Sequence, residues 1–261
     1  MLNNKLRRRI CMQKKLTKML HMKREPVGIY FANTTAVCDM DADPKARNCV
    51  IPMLMKASEG KVISMDEKSC NCAGGATGCC FGDGFARWNP SIAKLLSQGY
   101  GEDAPAHMPA FMKAGERFFC TEELAEVFRN SLPYSEKAYP RIVFAPMSRW
   151  EEIGNPDLVY LFLNPDQLGA VVSMLCAHNG QVNNTIAPYC SACQSIMFAA
   201  EQLENEKPMA VMGLFDISQR YRPLANTLSL TMSYSRWSEI SMDLEKSCLT
   251  SHSWREIEKR L

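Results

Sequence analysis

Apolar positions set out a clear succession of elements along the chain. From 3 to 23, Leu6, Ile10, Leu16, Met19 and Leu20 fall on or near one helical face, with lysines and arginines opposite. Pro26 ends that helix, and Val27-Gly28-Ile29-Tyr30-Phe31 follows as an apolar run of strand length. Further segments of strand length recur at 61–65, 141–146, 158–163, 209–214 and 228–232. Helices are expected at 49–58, at 90–98, at 104–131 with a break near Gly115, at 166–177, at 190–206, and at 237–249 and 254–261. Asn164-Pro165 opens the 166–177 helix with proline in its permitted first turn. Ser148 and Glu151 have the spacing of a capping box. Strands and helices interleave without a strict βαβ rhythm, which predicts an α+β fold. The expected architecture is a mixed sheet with flanking helices, in a single domain over 1–261. A short internal echo, Ser148-Arg149-Trp150-Glu151-Glu152-Ile153 against Ser235-Arg236-Trp237-Ser238-Glu239-Ile240, follows a strand each time. It fits a duplicated strand-and-helix unit, or two helix starts alike only in their capping chemistry.

Composition excludes several function classes. Of 261 residues, 30 are basic and 28 acidic, so no bulk charge favours nucleic acid or an anionic membrane. No apolar run approaches the ~20 residues that cross a bilayer. The basic N-terminus has no apolar segment of the secretory kind, so a cytoplasmic location is expected. Twelve cysteines in a reducing compartment point to metal binding or thiol chemistry and not to a disulfide framework. The 17 methionines are scattered through the expected helices and read as adaptable core fillers.

The thiols concentrate the chemistry. Cys70, Cys72, Cys79 and Cys80 fall within the glycine-rich stretch 70–84, expected to be an irregular loop leaving the 61–65 strand. Cys190 and Cys193 form a second pair, and Cys49 lies upstream. The spacings match neither the paired C-x2-C knuckles of structural zinc nor a ferredoxin run. Glycine permits close backbone approach, and the amides of Gly74 and Gly75 could hydrogen-bond cluster sulfides. The candidate ligands are Cys49, Cys70, Cys72, Cys79, Cys80, Cys190 and Cys193. Convergence of Cys72 and Cys79 with Cys190 and Cys193 is the leading arrangement, and Cys49 is able to replace one of them. Cys190, expected at a helix N-terminus, is the first candidate for a standing thiolate. Cys11, Cys38, Cys120, Cys176 and Cys248 are isolated and read as buried small hydrophobes. The four histidines lack partners at metal-binding spacing, and Asp39, Asp41 and Asp43 lack the glycine and glutamate of a calcium loop. Each of the four tryptophans adjoins an arginine, which leaves cation–π stacking or an anion pocket conceivable.

In its layout the chain resembles the ArCR-labelled domain-of-unknown-function family of cytosolic proteins from anaerobic prokaryotes. The resemblance rests on Pro26-Val27-Gly28-Ile29 after a basic helix, Cys72-Ala73-Gly74-Gly75, Phe162-Leu163-Asn164-Pro165, Cys190, and the Arg220–Ser229 segment before the last strand. It implies a shared fold and a cysteine-lined site, and brings no activity with it. The expected function is an iron–sulfur protein, of the 4Fe–4S kind, with a redox or electron-transfer role. The alternative is a zinc-binding or thiol-based ligand-binding or sensor module without catalysis. Expected partners are a redox protein or a small-molecule ligand, with a second copy of the chain as a further candidate, and neither nucleic acid nor membrane.

Overall fold

The computed structural model describes all residues except 1–3, 33–36, 47, 88–91, 103, 135–138 and 221–224. Eight strands form one mixed sheet: β1 (Val27–Ala32), β2 (Met40–Asp41), β3 (Ile63–Asp66), β4 (Arg141–Pro146), β5 (Leu158–Leu163), β6 (Thr185–Ile186), β7 (Ala210–Gly213) and β8 (Leu228–Ser233). Their spatial order is β2-β3-β4-β1-β5-β8-β7-β6. The helices are α1 (Asn4–Met19), α2 (Val50–Ala57), α3 (Ala73–Gly78), α4 (Ile92–Leu96), α5 (Ala110–Ala114), α6 (Glu122–Asn130), α7 (Trp150–Ile153), α8 (Pro165–Ala177), α9 (Ser195–Glu201), α10 (Ile217–Arg220), α11 (Tyr234–Met242) and α12 (His252–Glu258). The α+β expectation is met.

β1 and β5, at the centre of the sheet, carry almost continuous apolar residues because both faces of the sheet are covered. Ile142 and Phe144 of β4, with Leu158, Tyr160 and Phe162 of β5, face a core shared with α2 and α9. Their neighbours Val143, Ala145, Val159, Leu161 and Leu163 face the opposite core, shared with α1, α8 and α11. Leu16 and Leu20 of the N-terminal segment are fully buried there, while Lys14, Lys15 and Lys18 stay exposed. α8 begins as expected: Asn164 caps it in a full capping box with Gln167, and Pro165 occupies the first turn.

The two halves of the sheet repeat each other. The order β2-β3-β4-β1 is matched by β6-β7-β8-β5, with a parallel outer pair in each half, β2 with β3 and β6 with β7. Register agrees as well. Val27 opposes Pro146 at one end of β1 and β4, and Leu158 opposes Ser233 at the same end of β5 and β8, over six residue pairs each. Where the halves meet, Val27 opposes Tyr160, Gly28 opposes Val159, and Ile29 opposes Leu158. Exchanging β1 with β5 leaves that pairing unchanged, so a pseudo-two-fold axis passes through the Gly28–Val159 pair. The echoed hexapeptides follow β4 and β8 at the same offset, and Trp150 and Trp237 are buried in the same core. Duplication is the reading that fits, not a coincidence of capping. Ser148 in fact caps nothing in α7: β4 runs into a single 3-10 turn, and Ser148 donates its backbone N–H and its hydroxyl to the Glu25 carboxylate instead.

One difference between the halves matters for the site. Residues 67–140 separate β3 from β4, whereas only 214–227 separate β7 from β8. This first-half insertion carries α3 to α6. Its expected helix 104–131 is two short helices, because Gly115 takes a positive φ of 71° and packs backbone to backbone against Gly99. The first residues of the helix expected at 90–98, and Trp88, lie outside the described residues. Among the described residues, no helix is long and apolar enough to cross a membrane. The arginines beside two of the described tryptophans are committed to carboxylates: Arg149 to Asp39 and Glu152, and Arg236 to Glu239. Asp39 also accepts from the Val62 amide and Asp41 binds Arg141, so the 39–43 aspartates buttress the edge of the sheet.

Candidate functional site

The glycine-rich stretch is not a loop. Residues 73–78, Ala-Gly-Gly-Ala-Thr-Gly, form α3 with Cys72 as its N-cap residue. Three glycines in a helix cost about 1 kcal/mol each relative to alanine, and tertiary packing overrides that preference here. A Cβ at Gly78 would lie 2.9 Å from the Cys193 carbonyl oxygen, and one at Gly74 would lie 3.0 Å from the Ser191 hydroxyl. The glycines therefore let α3 approach the 190–194 segment at backbone contact distance. Gly84 closes the other side, where a Cβ would fall 2.3 Å from the Ala73 oxygen.

That approach brings the two cysteine regions together. The Cys193 thiol lies 3.5 Å from the Gly74 carbonyl oxygen. Cys49 arrives from α2, whose first turn it precedes, and its thiol reaches the Gln219 side-chain oxygen at 3.7 Å. Two asparagines hold the approach segments in place. The Asn48 side chain donates to the Asp43 and Ser69 carbonyls at 2.7 and 2.9 Å, and its backbone N–H donates to the Asn71 side-chain oxygen at 3.0 Å. Asn71 in turn donates to the Ala46 carbonyl. Cys49 and Cys72 are thereby fixed next to each other.

These residues line a cavity of about 950 Å³. Its walls follow the internal symmetry: the segments before α2 and after β3 come from the first half, those before α9 and after β7 from the second. The insertion adds an apolar side of Phe85, Ile92, Leu95, Leu96, Phe111 and Phe118. Three thiols reach the cavity, those of Cys49, Cys72 and Cys193, together with the carboxylates of Glu116 and Asp216.

The other expected ligands lie elsewhere. Cys70 and Cys79 are buried together in the core behind the cavity, where contact with the Cys70 thiol, then burial, pushes the Cys79 thiol well up. Cys80 is buried in a separate cluster beneath the insertion, and burial with nearby Glu201 raises it to about 12. Cys190 does not start a helix. α9 begins at Ser195, and burial followed by the Asp216 charge pushes the Cys190 thiol up to about 12, which removes it as the standing thiolate. Cys72 holds the helix-terminal position instead. Burial raises its thiol to about 11, the Gly75 and Gly74 amides pull it down, and the charges of Cys49 and Cys70 push it up again. Its side chain forms no capping hydrogen bond. Cys193 is raised by burial and then by the charges of Cys72, Cys49, Cys70 and Cys190, so these thiols are near enough to disfavour one another's ionisation. None of the isolated cysteines is buried as expected: Cys11 and Cys120 are exposed, and Cys38, Cys176 and Cys248 are partly exposed.

Donor chemistry suits a soft metal centre, but the spacing is not that of a closed one. Among the described residues, no group of three or more His, Cys, Asp or Glu side chains is disposed to hold a metal ion. Asn48, Asn71, Glu116, Asp216 and Gln219 are site residues that the sequence reading passed over. Adjacency signals two of them, since Asn48 precedes Cys49 and Asn71 separates Cys70 from Cys72, and nothing in the sequence marks Glu116, Asp216 or Gln219.

Fold and site together define an α+β protein with an internally duplicated sheet and a cysteine-lined cavity between its halves. The chain belongs to the family described as Uncharacterised ArCR (DUF169), whose model matches residues 15–241. No curated protein and no solved structure matches it.

Proposed function

We propose that this chain is a cytoplasmic iron–sulfur protein whose cavity thiols, Cys49, Cys72 and Cys193, hold a cluster of the 4Fe–4S type beside a small-molecule site. One observation carries the reading: three cysteines from both halves of the sheet line one half-open, largely apolar cavity. A cluster held there by Cys49, Cys72 and Cys193 would supply one-electron chemistry. The protein's own contribution is local. The Gly74 and Gly75 amides favour the thiolate of Cys72, the apolar side of the insertion keeps water from the thiols, and Asn48 and Asn71 fix their positions. Mutual repulsion among the thiolates is the cost that a bound cation relieves. Its partners are a small molecule in the cavity and a redox protein at the surface.

The spacing of the thiols favours a second reading, a thiol-lined ligand-binding or sensor module that holds zinc or no metal. Purification without oxygen, a visible spectrum, and assays of iron, acid-labile sulfide and zinc separate the two. The cluster reading expects a brown protein with stoichiometric iron and sulfide. A colourless preparation without iron, with or without zinc, leaves the second reading standing.

A further inference from the structure

We propose that the cavity selects an organic cation, a protonated amine carrying an apolar body, by seating its charge between Asp216 and Glu116. The proposal rests on the cavity being a ligand site and does not require the cluster. Asp216 is only 7% exposed and lines the cavity. One of its carboxylate oxygens accepts from the Ser218 amide at 2.9 Å. Among the described residues, neither Asp216 nor Glu116 forms an ion pair with Arg, Lys or His. The two are close enough that Asp216 raises the Glu116 carboxyl, an effect second only to that of burial.

Two carboxylates beside an apolar cavity without a counter-charge are costly to maintain. A cation placed between them removes both the repulsion and the desolvation cost. Anions are repelled by the same pair, and a neutral isostere leaves the carboxylates as they were. The rest of the ligand is set by the insertion: Ile92, Leu96, Phe111 and Phe118 offer apolar and aromatic surface, and an aromatic face also attracts an ammonium. The volume of about 950 Å³ is that of sites for drug-sized molecules, well beyond a lone ion or ammonia.

The test is calorimetric titration of the full-length protein, purified without oxygen, with three probes of one shape: 2-phenylethylamine, 2-phenylethanol and 3-phenylpropanoate. The expected result is that the amine binds at least about tenfold tighter than the alcohol, with the carboxylate weakest, the direction that charge complementarity requires. Glu116→Gln is expected to weaken the amine by about threefold or more, and Glu116→Gln with Asp216→Asn by about tenfold or more, each weakening the alcohol less than the amine. Glu116 is the less buried of the two, so the single variant keeps the test open if the double variant unfolds. Equal affinity for amine and alcohol, no binding of the amine, or an amine affinity indifferent to Glu116→Gln overturns the proposal. Iron assayed in the same preparations separates the two ideas: iron-free protein that binds the amine removes the cluster alone, and iron-loaded protein indifferent to it removes this inference alone.

Discussion

The fold divides the seven candidate cysteines by what surrounds each sulfur. Cys49, Cys72 and Cys193 reach the cavity, Cys70 and Cys79 pair behind it, and Cys80 and Cys190 are sealed in the protein. Spacing could not make this division, because which sulfur faces a cavity depends on how α3 turns and on what it packs against. Burial has a chemical consequence. An acid whose pKa is raised stays protonated further up the scale, so the Cys72 thiol, at about 11, is neutral at physiological pH in the metal-free protein. Its alkylation by iodoacetamide is therefore expected to speed up by about tenfold per pH unit from 8 towards 11. Exposed Cys11 and Cys120 are expected to be labelled first at every pH. Peptide mass spectrometry reads this directly, and a Cys72 rate that levels off below pH 8 contradicts it.

At the scale of elements, the long strands were legible, and helices α3 and α10 were not. Continuous apolar runs revealed β1, β4 and β5 because both faces of the sheet are covered, whereas β8 alternates leucine and methionine with buried Ser229, Thr231 and Ser233. β2 and β6, of two residues each, are too short to leave a pattern. α3 was hidden by its glycines, whose local preference opposes a helix while their lack of side chains permits its packing. Two substitutions test this account with opposite signs. Gly78→Ala places a Cβ 2.9 Å from the Cys193 carbonyl oxygen and 3.0 Å from its carbon, so it is expected to destabilise by about 1–3 kcal/mol. Gly169→Ala in the middle of α8 meets nothing within 4 Å, and is expected to stabilise by about 0.5–1 kcal/mol. Urea midpoints at constant slope measure both, and a neutral Gly78→Ala would show that α3 does not need its close approach.

Across the whole molecule, the duplicated sheet explains where the cavity lies and why its walls differ. Each half contributes the segment before one helix and after one strand, and the insertion of the first half adds the apolar side. The hexapeptide echo was the legible trace of this symmetry. The rest was not legible, because the halves share register and topology more than side chains. Equivalent positions need not be equal in energy. Trp150 donates to the Ala145 carbonyl at 3.1 Å, whereas the buried Trp237 indole nitrogen has no hydrogen-bond partner among the described residues. Trp150→Phe is thus expected to cost about 1 kcal/mol more than Trp237→Phe in denaturant unfolding, the net worth of one hydrogen bond. Equal costs would mean that the two tryptophans serve packing alone.

The cluster reading rests on the division of the cysteines, and a serine series under anaerobic reconstitution tests it most directly. Iron and acid-labile sulfide are measured per chain in the unsubstituted protein and in Cys49→Ser, Cys72→Ser, Cys193→Ser and Cys248→Ser, the last lying in the opposite core. The account predicts that each of the first three loses most of its iron and that Cys248→Ser keeps it. Iron retained in all three cavity variants, or lost equally from Cys248→Ser, would contradict it.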